Sequence, residues 1–193
     1  MGEEEKVELK EVYPLHERVR KISYIKSREE YEKLQQQFLA DPSGWWAKMA
    51  DEYVTFFKKW DRVEDFNFDI RKGPIYVKYF EGAQLNVAYN CLDRHLEKRG
   101  DKVAIQWVGN EPDEGRAITY RELHKEVCKF ANVLRAHGIK KGDRVCIYMP
   151  MVPETGVAML ACSRIGAVHT VVFGGFSSEA LSVRIRDSQA KIL

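Results

Sequence analysis

No two cysteines in this chain stand close enough to read as a CxxC motif. The four, Cys91, Cys128, Cys146 and Cys162, are spread through apolar or helical settings. That spacing argues against a metal cluster or a disulfide scaffold and predicts buried free thiols in a reducing compartment. No run approaches 18 continuous apolar residues, so no membrane-spanning helix is expected. A charge excess of one sign is also missing: 31 Lys and Arg stand against 29 Asp and Glu, and a net charge of +2 makes no electrostatic case for nucleic acid. The opening residues, MGEEEKVELK, lack the basic-then-apolar order of a secretion signal, and Lys6 stands where a myristoylation motif wants Ser or Thr. The cytoplasm is the expected location, with neither nucleic acid nor membrane as a partner. No GxGxxG follows an early strand and GxxxxGK[ST] occurs nowhere, so the two commonest nucleotide-phosphate loops are not present in this stretch.

What is present suits a globular chain with one sizeable core, at 193 residues with 45% apolar and 31% charged side chains. Residues 1–26 are polar and interrupted by Pro14, and read as an arm lying over a surface. Ser27 and Glu30 form a capping box that starts a helix over about 28–39, and Asp41 with Pro42 starts another. Trp45, Trp46, Met49, Tyr53, Phe56, Phe57 and Trp60 then recur at three- and four-residue spacing, which predicts one helical docking face. Extended pieces near 76–80 follow. A helix from Leu85 or Asn86 to Arg99 comes next, closed by Gly100 in the position that tolerates positive φ.

From Lys102 the pattern becomes regular. KVAIQWV is a strand, NEPDEG a polar connection, AIT a short return strand, and Thr119 with Glu122 a second capping box. The helix it opens shows Leu123, Val127, Phe130, Ala131 and Leu134 on one face and closes at Gly138. RVCIYM is nearly all apolar, as parallel strands covered on both faces are. A helix over 153–165, the strand AVHTVVF, a helix over 178–188 and the start of a strand at AKIL complete the run. The fold class is α/β: an amino-terminal helical arm and docking helices over 1–100, then at 101–193 the first part of a doubly wound, mostly parallel sheet. Because the last strand reads as an interior one, the chain is expected to be incomplete, truncated within that strand.

The stretch with most chemical promise is VVFGGFSSEA. Phe173 ends a strand, Gly174 and Gly175 turn, and Ser177 or Ser178 opens a helix, at a strand's carboxyl end where this layer type places ligand crevices. Close backbone approach to a ligand and a plain tight turn explain the glycines equally well. His95 lies four residues after Cys91, but no second cluster accompanies the pair, so a packed histidine is expected and no metal site is assigned. His169 reads as structural support. Adjacent on one helix, Asp93 and Arg94 cannot share a face and should find partners elsewhere. Arg164, Arg184 and Arg186 read as solvated, and Glu154 as a carboxylate suited to a helix start.

The segments GAQLNVAYNCLDRH and ITYRELHKEVCKFANVLRAHGIKKGDRVCIYMPMVPETGVAMLACSRIGAVHTVVFGGFSSEAL, with the spaced tryptophans before them, resemble the amino-terminal part of the AMP-forming acetyl-CoA synthetase family. The likeness runs from about Tyr31 to Leu193. It implies the adenylate-forming enzyme fold and an acetate–CoA ligase reaction: acetate and ATP give acetyl-adenylate and diphosphate, and CoA then displaces AMP. It implies CoA, and ATP with Mg, as the full-length family's ligands. Phe173, Gly174 and Gly175 match the family segment that runs beside the pantetheine arm of CoA. The family's phosphate loop, acyl pocket and catalytic lysine have no counterpart among these residues, so no catalytic residue is assigned here. The chain alone is expected to be inactive and to bind CoA weakly at most. Lys59 and Ser178 replace prolines frequent in the family. A missing carboxyl-terminal portion or a complementary chain is the expected partner, with self-association through an exposed strand edge also open. The alternative is a non-catalytic binding or regulatory protein that associates with a full-length homologue or a complementary chain.

Overall fold

The computed structural model describes residues 16–111 and 113–193, and they divide into two units, up to Glu52 and from Tyr53 onward. Pro14 and the opening residues, on which the arm and leader readings rest, lie outside the described residues. In the first unit a six-residue helix α1, Glu17–Ile22, stands within the stretch read as an arm. Helix α2, Arg28–Ala40, begins as expected, with the Ser27 hydroxyl accepting the Glu30 N–H. The Glu30 carboxylate returns to the Lys26 N–H at 2.8 Å. Helix α3 covers Pro42–Tyr53, and the Asp41 carboxylate accepts the Gly44 N–H at 2.9 Å. Phe38 meets Trp45 and Trp46 edge-on, with centroids 6.4 and 6.3 Å away.

The aromatic run is not one helix. Beyond Tyr53 the side-chain amide of Asn90 satisfies Thr55 on both sides, accepting its N–H at 2.8 Å and donating to its carbonyl at 3.0 Å. Arg94 donates to the Tyr53 carbonyl. These partners replace the next helical hydrogen bonds and release the chain from the helix. Phe56 and Trp60 instead stack with each other and with Phe80. Phe80 belongs to β2, Tyr76–Glu81, which pairs antiparallel with β1, Arg62–Asn67, a strand the sequence reading passed over. The helix expected over 85–99 is also broken, into α4, Val87–Cys91, a 3-10 turn at Asp93–His95 and α5, Leu96–Arg99. Gly100 has φ −52°, so its need is space: an added Cβ would fall 2.5 Å from the Leu96 carbonyl oxygen.

From residue 103 the expected order holds. Strands β3, Val103–Val108, and β4, Gly115–Thr119, form an antiparallel hairpin. Helix α6, Tyr120–Ala136, starts with a complete reciprocal cap between Thr119 and Glu122. It buries Leu123, Val127, Ala131 and Leu134. Strand β5, Arg144–Met149, runs parallel to β6, Val168–Phe173, through helix α7, Pro153–Ile165. Gly166 ends α7 at φ 73°. Helix α8, Ser178–Ser188, then returns the chain to the other edge of β5. There Ile192 pairs in parallel with Val145, its carbonyl accepting the Cys146 N–H at 2.8 Å. The α/β layer therefore has β5 in the middle, and its core joins β5 to one face each of α6 and α7.

Candidate functional site

The carboxyl ends of β5 and β6 bring two turns together. Met149, Pro150 and Met151 lead from β5 into α7, and Phe173 to Phe176 lead from β6 toward α8. Neither Gly174 nor Gly175 has a positive φ, so left-handed backbone is not why glycine stands there. A Cβ on Gly174 would lie 3.2 Å from the Met149 carbonyl oxygen, and one on Gly175 would lie 2.7 Å from the Phe173 ring. The first glycine lets the two turns approach, and the second makes room for the ring of Phe173. The plain-turn reading thus accounts for the residue type.

Sequence reasoning missed the residue that fastens this turn. The Tyr148 hydroxyl lies 2.9 Å from the Gly174 carbonyl oxygen and 2.8 Å from that of Phe176, where one O–H serves both. The available signal was a residue with a polar tip near the end of an apolar strand. Phe173 and Phe176 meet edge-on at 5.8 Å, both partly open to solvent, and the Arg184 guanidinium lies 4.7 Å over the Phe176 ring. Arg184 is thereby engaged, not merely solvated. The Ser177 hydroxyl accepts the Ala180 N–H, so α8 partly caps itself. On the neighbouring turn the Trp107 indole N–H donates to the Met151 carbonyl at 2.8 Å. Arg116 meets Glu154 at 2.9 Å; hydrogen bonding to Glu154's own backbone N–H, then this guanidinium, hold the carboxyl below its usual range. The result is a shelf of exposed apolar groups, Met151, Phe173 and Phe176, over a turn pinned by hydrogen bonds. Such a shelf can support the apolar stem of a ligand; it carries no nucleophile or general base.

The other candidates separate. Asp93 and Arg94 do find distant partners: Arg94 reaches the Tyr53 carbonyl, and Asp93 receives both arms of Arg164 at 2.8 and 2.7 Å. Arg164 is therefore a half-buried structural ion pair, and its pairing overturns the solvated reading. That guanidinium holds the Asp93 carboxyl below its ordinary range, and His124 stands 3.3 Å from the same carboxylate. His95 packs on Tyr120, and desolvation followed by Arg94 and Arg99 lowers its pKa. Cys146 and Cys162 are buried, with pKa values raised by desolvation, whereas Cys91 is exposed and Cys128 half-buried. Among the described residues no group of three or more His, Cys, Asp or Glu could hold a metal, and no helix is long and apolar enough to cross a membrane.

Residues 92–193 match the family model described as AMP-binding enzyme. The chain belongs to that family. Its residues 31–91 match the model described as Acetyl-coenzyme A synthetase N-terminus. It is 57% identical over 182 residues to an acetyl-coenzyme A synthetase of Magnetococcus marinus, a match covering 94% of this chain and 28% of that one. The corresponding enzyme of Halorhodospira halophila is 52% identical, over 94% of this chain and 27% of the relative. The acetoacetyl-CoA synthetase from Streptomyces lividans superposes with a TM-score of 0.73 at 29% identity, covering 83% of this chain and 24% of that structure. The adenylate-forming family's fold is thus seen in part, because the chain spans about 28% of the length of the curated relatives it matches.

Proposed function

We propose that this chain is the amino-terminal portion of an acetate–CoA ligase, acting with residues found in the remaining length of its relatives. One observation carries the reading: 57% identity across 94% of the chain to an acetyl-coenzyme A synthetase. On it, residues 1–100 are the arm and docking helices, residues 101–193 begin the first α/β subdomain, and the setting is the cytoplasm. Phe173, Gly174 and Gly175 form part of the wall beside the pantetheine arm of CoA. The exposed Phe173 ring supports that role, and so does the position at the strands' carboxyl ends, where open α/β layers bind ligands. The groups that would hold ATP with Mg lie outside these residues, and this chain positions instead of reacting.

Phosphoryl and acyl transfer need charge and alignment assembled around the reacting atoms, and the shelf supplies neither. The isolated 193-residue chain, given acetate, ATP, Mg and CoA, is expected to form no AMP above background. Calorimetric titration with CoA should give weak heat or none. Acetate-dependent AMP formation by the purified chain would overturn the reading.

A further inference from the structure

A second cleft, of about 530 Å³, opens between the carboxyl ends of α6 and α7. It lies at the amino end of β5, a strand length of roughly 20 Å from the glycine turn. Its lining carries four cations, Arg135, Lys140, Lys141 and Arg164, and no carboxylate. Arg164 is balanced by Asp93. Among the described residues the side chains of the other three make no hydrogen bond or ion pair. Asp143, the nearest acid in sequence, is engaged by Lys191 at 2.6 Å and by the Lys140 backbone N–H at 2.9 Å.

Cations near helix carboxyl ends ordinarily serve the last carbonyls. Here the carbonyls of Val133, Leu134 and Arg135 in α6 and of Cys162, Ser163 and Arg164 in α7 are already served. The N–H groups of His137, Gly138 and Ile139 close α6, those of Gly166 and Ala167 close α7, and Asn86 donates to the Ser163 and Arg164 carbonyls. Three uncompensated charges thus face one opening whose floor, at Ile139 and Ile165, is apolar. A cleft of this size lies in the small-molecule range, and a fork with two point charges suits a multiply charged anion.

From this arrangement we infer a binding site for a small organic molecule carrying two or more phosphate charges, with its uncharged body on the apolar floor. The inference does not rest on the ligase reading, because the cleft stands apart from the glycine turn.

Amide NMR spectra of the 193-residue chain, titrated with inorganic pyrophosphate at ionic strength held constant with NaCl, test it. Saturable shifts are expected at 135–141 and 164–166. The triple variant R135S/K140S/K141S, all exposed positions, should melt with the parent and bind about tenfold or more weakly. ADP should bind more tightly than pyrophosphate with the same footprint. Shifts no larger than those from NaCl, an unaltered titration of the triple variant, or shifts centred on 173–178 would overturn the site. Weaker binding of ADP than of pyrophosphate would overturn the organic body.

Discussion

Asp93 sits where three segments meet, in the 3-10 turn after α4, with His124 of α6 and Arg164 of α7 on its carboxylate. Removing it leaves a half-buried guanidinium without its bidentate partner, so Asp93→Ala should cost about 1–3 kcal/mol in chemical denaturation. The sign of the pH dependence follows from the direction of the shift. Folding lowers the Asp93 pKa, so its contribution is complete above the unfolded carboxylate value of about 4 and fades as pH falls toward the folded one. Denaturation midpoints of the parent and of Asp93→Asn should therefore converge on going from pH 7 to pH 3. Parallel curves would contradict the assignment. The glycine turn gives a second residue-scale comparison. The group in the way at Gly174 is backbone, whereas at Gly175 it is an exposed ring that can rotate. Gly174→Ala should lower stability by about 1 kcal/mol and Gly175→Ala by less, read from melting curves. The sequence marked both glycines as special but not why, because the neighbour that demands the first lies on another turn.

Helices α6 and α8 both begin with a hydroxyl cap, yet the same loss should register differently in each. Helix α6 buries four large or small apolar residues in the core, while α8 buries none. Thr119→Ala should lower global stability by about 1 kcal/mol. Ser177→Ala should leave the denaturation midpoint nearly unchanged and speed amide exchange at 180–182, because only local fraying is at stake. Equal global losses would contradict this difference in coupling. Elements whose signals are local, the two caps and the apolar strand RVCIYM, were legible from the sequence. Illegible elements owe their form to distant groups. The aromatic helix ends early because Asn90 and Arg94, 35 and 41 residues from their partners, take over the backbone at 53–55. The helix over 85–99 breaks where Leu92 is fully buried and Asp93 turns to Arg164. Strand β1 reads RVEDFN, too charged to declare itself without its partner β2.

Among the described residues, most of the buried apolar side chains lie between Leu92 and Ala167, chiefly on α6, α7 and β5. Their amides should exchange slowest, and those of α1 and α2, which bury no residue, fastest. The two pinned turns lie at one end of this core and the cationic cleft at the other. On the proposed reading, that core is a foundation for chemistry supplied by residues in the remaining length of the relatives. The most direct measurement is a graft: residues 31–193, which the two family models match, replace the matching portion of the Magnetococcus marinus enzyme, and acetate-dependent AMP and acetyl-CoA formation are assayed. A folded chimera that makes both, and in which Gly175→Val raises the KM for CoA about tenfold while leaving acetate-dependent ATP–pyrophosphate exchange intact, is the predicted result. A folded chimera that carries out neither half-reaction would contradict the account.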